Sequence, residues 1–370
     1  MAETFTPAPM TPASITAGQW NRTLLHRQHL LVRADEDAIE VIDRLVGMQS
    51  QDPHAAFYGL ASRIDGFGPD ELDALMTDRE VVRMALLRST IFLVDGEDAR
   101  WIRPLAQPSM DAEARIHHKK LAGADPAAVI SDAAALLREF ADADAGGLGG
   151  AELGAQLAQR HPGENPTTLT TLARCGLPLV QVPPRGLWNR GGAPSYRLLD
   201  DWIGPGEPAL EAAEARRELI RLYLRGFGPA SVAAISRWSG LTGLRPVVEA
   251  MEADWELVEY RGPGGERLYD LDGLDLIEED RPAPVRLIAP FDHILVAQAD
   301  RARVADDELF ARTVTPNGRC PGFVLCDGRL AGVWQPRPGG EAPEVELFIT
   351  PSAAVRAELD DEIERLRTFG

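Results

Sequence analysis

Cysteine is scarce in this chain. Its 370 residues include three, Cys175, Cys320 and Cys326. That is too few for a disulfide framework and points to a reducing cytoplasm. Five residues separate Cys320 from Cys326, and no nearby histidine completes a zinc set. Neither a metal nor a cofactor is therefore expected. No apolar run approaches the roughly 18 residues of a membrane span, so no membrane partner is expected. Met1 to Trp20 has no apolar stretch flanked by positive charge, which argues against a signal peptide. A serine nucleophile elbow and a Walker loop are both missing. Gly146-Gly147 and Gly149-Gly150 follow an acidic helix rather than a strand and lack the third glycine of a dinucleotide fingerprint, so they read as a linker.

Positive charge is also short. Lys and Arg total 38 against 57 Asp and Glu, a net charge of −19. Taken alone this argues against DNA, because phosphate binding needs Lys and Arg. The cations are clustered, however. Arg79, Arg83 and Arg88 form one group. Arg100, Arg103, Arg115, Lys119 and Lys120 form a second, and Arg281, Arg286, Arg301 and Arg303 a third. Acidic residues concentrate in 35–43, 132–144, 252–259 and 270–280. A basic face on an acidic body fits this distribution, as do solvated faces with no partner.

Apolar residues make up 45% and charged residues 26%, the composition of an ordinary soluble globular protein long enough for two to four domains. A pattern of helices followed by a strand, a Gly/Pro/Arg turn and a second strand repeats along the chain. It is clearest in 209–271. Helices are expected at 209–225, at 230–238 before Gly240, and from a cap at Thr242 to about Asp254. Strands follow at 255–260 and 267–271 around a glycine-rich turn. A second copy places helices at 126–141, 150–160 and 166–175, with strands at 178–182 and 196–199. A third, less regular copy places helices near 17–31, 35–48 and 79–88, with a strand at 90–94. Residues 285–298, 322–335 and 344–349 read as strands, with a turn at Asp327-Gly328 and a closing helix over 351–369.

The expected fold is α+β and mostly helical: three tandem winged-helix motifs, each helix-turn-helix plus β-hairpin, with a small C-terminal β-containing segment. The expected divisions are a disordered 1–14, winged helices over 15–110, 111–205 and 206–280, and an α+β segment over 281–370.

Within 36–53, Ile39, Ile42, Leu45 and Val46 mark the buried face of a helix. Gln49 continues that face, and Gln51 lies just beyond it, before Asp52-Pro53 ends the helix. A glutamine on an apolar stripe has a plain explanation, since its amide can satisfy the last helical carbonyls. From the pattern alone that explanation leads. His117-His118-Lys119-Lys120 is a basic tetrad on a predicted helix, suited to phosphates or to solvent. A Schiff-base role for Lys119 or Lys120 would need a desolvated pocket, and nothing in the sequence indicates one.

Met48-Gln49-Ser50-Gln51-Asp52-Pro53 resembles the Gln-x-Gln motif of AlkZ-type DNA glycosylases, in the AlkZ/YcaQ winged-helix family. Other stretches resemble the same family in the same order. They are Leu87 to Thr90, Tyr223 to Pro229 with Trp238 to Leu241, Leu287 to Arg303 with Pro290-Phe291-Asp292, and Asp327-Gly328-Arg329 with Gly332 and Trp334. The likeness spans about residues 15–370. The YcaQ branch has an acidic second position, so Gln51 places this chain with the AlkZ branch.

The resemblance implies a monofunctional glycosylase that removes N7-alkylated guanine from double-stranded DNA. Some family members unhook interstrand crosslinks, and several protect producers of DNA-alkylating antibiotics. It implies Gln49 and Gln51 as the catalytic pair. Arg79, Arg83, Arg88, His117, Lys119, Lys120, Arg301 and Arg303 are the candidate DNA contacts, with Gln298 on a hairpin reaching the minor groove. The enzyme is expected to act as a monomer in the cytoplasm, on the nucleoid when bound to DNA. A non-enzymatic winged-helix transcriptional regulator and a protein-interaction scaffold are the competing readings.

Overall fold

A computed structural model describes residues 12–143, 146–313, 320–337 and 341–369. Among these, the chain opens with strand β1 (Ala13–Ser14) and helix α1 (Ala17–Arg27). Thr16 caps α1, accepting from the Gln19 N–H while the Gln19 side chain returns to the Thr16 N–H. Then come α2 (Ala38–Arg44), β2 (Met48–Gln49), α3 (Ala55–Ala61), α4 (Pro69–Thr77), and the hairpin β3 (Val81–Ala85) and β4 (Ile91–Asp95). Asp95 caps the long helix α5 (Gly96–His118) by accepting from the Glu97 and Asp98 N–H groups. A similar series follows: α6 (Pro126–Ala143), β5 (Leu148–Gly149), α7 (Gly150–Arg160), α8 (Pro166–Gly176), β6 (Leu179–Val182), β7 (Ser195–Leu198) and the short α9 (Leu199–Ile203). The third series is α10 (Ala212–Phe227), α11 (Val232–Ser239), α12 (Arg245–Ala253), β8 (Leu257–Arg261) and β9 (Arg267–Leu271). The chain closes with β10 (Arg286–Ile288), α13 (Asp307–Ala311), β11 (Gly322–Cys326), β12 (Arg329–Gln335), β13 (Glu344–Leu347) and α14 (Ala353–Arg367). The architecture is α+β.

The strand pairings show how the series relate. In the first, the order is β2-β4-β3, so the early strand pairs with the last one. In the second it is β5-β7-β6, the same arrangement. β3 pairs antiparallel with β6, and the two threes become one six-stranded sheet. In the third series a bridge from Ala230 to Tyr269 of β9 takes the early strand's place, and β9 pairs with β8. Each series runs through helices into an antiparallel hairpin, and in the first that hairpin includes a strand where the sequence suggested a helix. The closing segment is a four-stranded antiparallel sheet, β10-β11-β12-β13, which shares an apolar cluster with α14.

The largest core joins α1, β4, α5, α10, α11 and the loop after β10 through Leu24, Phe92, Trp101, Tyr223, Trp238 and Leu295. It includes the stacked rings of Tyr223 and Phe227, 4.9 Å apart. All three cysteines are free.

Several expectations need correction. Residues 79–88 form no helix. Val81 to Ala85 are fully inside the six-stranded sheet, where two-sided burial overrides the helical propensity of Met, Ala and Leu. The helix over 35–48 is only α2, because Val46 and Gly47 adopt left-handed conformations (φ 57° and 78°) and end it. The glutamine motif therefore starts on a strand. Of 285–298 only Arg286–Ile288 is a strand, and 344–349 shortens to β13. Thr242 caps nothing; α12 starts after Leu244. Leu148–Gly149 is not a linker, because it pairs with β7. The expected disorder over 1–14 lies outside the described residues up to position 11, while Ala13 and Ser14 pair parallel with β8.

Gly47 makes the turn into β2 possible. A Cβ there would sit 2.8 Å from the Leu93 carbonyl oxygen, on a left-handed backbone. Gly47→Ala is expected to destabilise the fold by more than about 1 kcal/mol in urea titration. Histidine burial sets a pH dependence. Burial and then the Arg44 charge lower the His29 pKa from 6.5 to about 4. Between these values the unfolded chain binds a proton that the folded chain refuses, so stability falls as pH drops from 6.5 to 4. Thermal melts across that window should show the loss, and His29→Gln should flatten it.

Candidate active site

β2 pairs antiparallel with β4, Met48 opposite Leu93 and Gln49 opposite Phe92. Side chains alternate along a strand. Met48 accordingly enters the core around Phe57 and Leu60, while Gln49 turns to the other face and is half-buried. Ser50 is fully buried, and its N–H donates to the Ile91 carbonyl at 2.8 Å. Gln51 then leaves the sheet and is exposed. Its side-chain Oε1 accepts from the Ile91 N–H at 3.3 Å, taking the place of the next ladder acceptor.

Around Gln49 the structure gathers residues from distant parts of the chain. Gln49 Oε1 accepts from Arg88 Nη2 at 2.9 Å and lies 3.2 Å from His293 Nε2. Arg88 also donates to the Trp238 carbonyl. Trp238 Nε1 donates to His293 Nδ1 at 3.1 Å. Burial first, then the charges of Arg88 and Arg63, hold His293 neutral well below its ordinary range. Burial pulls Arg88 down to about 10, which leaves it a cation at neutral pH.

The backbone here is strained. Arg88 (φ 56°), Ser89 (φ 60°), Val46 (φ 57°) and Phe291 (φ 62°) are all left-handed without being glycine. Such conformations cost about 1–3 kcal/mol each and concentrate at functional sites.

The nearby carboxylates are already engaged. Asp292 is buried in a double contact with Arg63, at 2.8 and 3.0 Å. Asp52 accepts from the His54 N–H at 2.9 Å, and the His54 side chain holds its carboxyl below the usual range. A small cleft beside Gln49 is lined by Met48, Ala55, Ala289, Phe291 and His293. Among the described residues no group of three or more His, Cys, Asp or Glu is arranged to hold a metal ion, and no helix is long and apolar enough to cross a membrane.

Three candidate DNA contacts are buried and need correction. Arg83 donates through Nε and Nη2 to the Oγ and carbonyl of Ser50, at 3.1 and 2.8 Å. It locks the residue between the two glutamines. Arg303 donates to the carbonyls of Phe227 and Pro229. Gln298 accepts from the Tyr223 hydroxyl and donates to the His293 carbonyl, so it braces the loop instead of reaching out. Arg301 is half-buried, stacked over Phe310 at 3.7 Å and donating to the Leu295 carbonyl. Arg88 is turned inward. Arg79 is exposed but lies over the Trp202 ring and donates to its carbonyl. Lys119 and Lys120 are exposed just past the end of α5, with His117 half-buried beside them.

Sequence reasoning missed His293, Trp238 and Ser50. It also passed over Arg185, half-buried on the turn between β6 and β7. A signal for His293 was present. It follows Pro290-Phe291-Asp292 as the second polar residue before an apolar run, Ile294 to Ala297.

The family model for AlkZ-like DNA glycosylases matches residues 42–369. An interstrand DNA cross-link repair glycosylase of Streptomyces sahachiroi is 23% identical over 347 residues, 88% of each chain. The solved structure of the Streptomyces sahachiroi DNA glycosylase AlkZ is similar with a TM-score of 0.75 at 20% identity, over 96% of this chain and 98% of that one.

The placement of Arg83 separates two roles for it. Removing it as Arg83→Ala leaves the Ser50 acceptors buried without a donor, which costs about 1–3 kcal/mol. A lower melting temperature with unchanged affinity for undamaged duplex is the expected pair of results. Weakened duplex binding at unchanged stability would restore the phosphate role.

Proposed function

The chain belongs to the AlkZ-like family of DNA glycosylases, and we propose that it hydrolyses the glycosidic bond of cationic N7-alkylguanine, with Gln49 and Gln51 at the reacting sugar. One observation carries this reading: among the described residues the side chains that touch the Gln49 amide are Arg88, which only donates, and a neutral His293. The buried Asp292 is paired with Arg63, and His293 is neutral with both nitrogens engaged. A glutamine does not titrate near neutral pH, so the pair can only hold and orient a water.

Such a site suffices when the leaving group is already good. An N7-alkylguanine is a cation. As its C1′–N9 bond breaks, the electron pair moves to the base, which departs neutral. The sugar passes through an oxocarbenium-like state, water adds to C1′, and the water's proton goes to solvent. The product is an intact abasic site. Lysine chemistry is disfavoured because the chain's two lysines, Lys119 and Lys120, are both exposed, whereas a Schiff-base amine needs desolvation.

A crosslink through guanine N7 presents the same bond, so unhooking belongs to the proposal, in keeping with the name of the Streptomyces relative. Self-resistance to a DNA-alkylating antibiotic would be its physiological use. The partner is double-stranded DNA bound by a monomer. Arg79, His117, Lys119 and Lys120 remain the proposed phosphate contacts. Arg185, Arg237 and Arg245 join them, having no carboxylate within salt-bridge reach among the described residues; the last two are exposed.

Duplex containing N7-methylguanine, treated with enzyme and then alkali, tests the reading. The wild type should give strand breaks at the lesion. Gln49→Ala and Gln51→Ala should each fall roughly 10²-fold, the cost of losing correct placement. Uracil in the same context should not be cut. Absence of breaks with wild type, or uracil excision that depends on Gln51, would overturn it.

A further inference from the structure

We propose that Arg88 and His293 are positioning residues that fix the Gln49 amide with its NH2 group, and not its carbonyl, toward the substrate. This rests on the reading of Gln49 as a reacting-site residue.

The donor chemistry of Trp238 sets the orientation. An indole N–H can only donate. His293 Nδ1 must therefore be the unprotonated nitrogen, and in the neutral ring the proton sits on Nε2. Nε2–H then points at Gln49, and Arg88, which has donors only, points at the same atom. Arg88 Nη2 and His293 Nε2 lie 3.1 Å apart, two donors sharing one acceptor. Turning the amide over would set its NH2 against both of them. The network thus assigns the carbonyl to the inside. Gln49 Nε2 makes no hydrogen bond among the described residues and is not sealed from solvent, so it is the end that opens outward.

This divides the work between the glutamines. Gln49 offers the substrate side two N–H donors and no acceptor. Gln51 Oε1, which accepts a single long bond from Ile91, keeps a lone pair for a water proton. A water held between them accepts from Gln49, donates to Gln51, and retains one lone pair to form the bond to C1′. Its proton passes to bulk solvent after attack, so no base is required.

The test is single-turnover excision of N7-methylguanine, with melting temperatures recorded for every variant. Gln49→Glu keeps one oxygen between Arg88 and His293 but places an acceptor where the donors stood. It should therefore lose as much as Gln49→Ala, roughly 10²-fold. His293→Phe removes both ring nitrogens. In the wild-type background it should lower the excision rate about tenfold or more with little change in half-saturating DNA, and in the Gln49→Ala background by less than about twofold.

Gln49→Glu within about threefold of wild type would overturn the orientation. A His293 effect that persists undiminished without Gln49 would reduce His293 to a structural role and overturn the positioning claim. Should His293→Phe fail to fold, Gln49→Glu decides alone, since it is nearly isosteric at a half-buried position. Full activity of Gln49→Ala is a different outcome. It would remove Gln49 from the chemistry altogether and take this inference with it.

Discussion

A primary amide has nearly the same outline whichever way it is turned, and only its neighbours decide which end faces outward. At Gln49 that decision uses three separate segments: the strained turn after β3, the end of α11, and the loop after β10. Arg88, Trp238 and His293 meet there because the largest core brings these segments together. Trp238 is fully buried and packs on Tyr223 and Phe227, so its indole N–H is held rigidly for His293. The loop carrying His293 is tied down twice, by Arg63 on Asp292 and by Gln298 on the His293 carbonyl. Burial keeps the imidazole neutral, and much of the polar structure that looks incidental around the site keeps it correctly turned.

The shared sheet imposes a second constraint. β2 is two residues long and would not hold its place alone. It is held because β4 is paired on its other side to β3, and β3 to β6. The glutamine strand is thus the edge of a six-stranded sheet whose far half comes from residues 146–198. Arg83, in the middle of β3, reaches back to Ser50 and fixes the spacing between Gln49 and Gln51. The strain at Arg88 and Ser89 is tolerated because β3 and β4 on either side are paired with each other and buried.

The second and third series were legible in the sequence because their apolar periods and turn glycines agree with one another; the start of α12 was not, since Thr242 resembles a cap and the helix begins after Leu244. Ser231 and Gly240 bracket α11 as such residues should, and Asn165 with Pro166 opens α8. The first series was misread where those signals conflict. Val81 to Ala85 contain good helix formers and are strand only because both faces are covered. The apolar spacing of α2 runs on through Met48, and Gly47 was the stop signal that the periodicity concealed. The glutamines were found through the motif, and their strand placement was not. Buried arginines were the hardest to read. Arg83 and Arg303 look like surface charge, and nothing local in the chain says that they will spend their donors on backbone carbonyls and hydroxyls inside.

This last point bears on the net charge of −19. Many of the cations are consumed within the protein: Arg27 by Asp270, Arg33 and Arg286 by Glu362, Arg63 by Asp292, Arg217 and Arg221 by Glu256. The charge left unpaired is smaller than the composition suggests and lies on scattered exposed residues such as Lys119, Lys120, Arg237 and Arg245, the proposed phosphate contacts. Affinity for undamaged duplex scales with the phosphates neutralised. A protein that must sample much DNA and release it gains from keeping that number low. Recognition then has to come from the lesion. On the proposed reading, a site with amides in place of a base would add to the same discrimination, because it would supply too little chemical help to break the bond of an uncharged base.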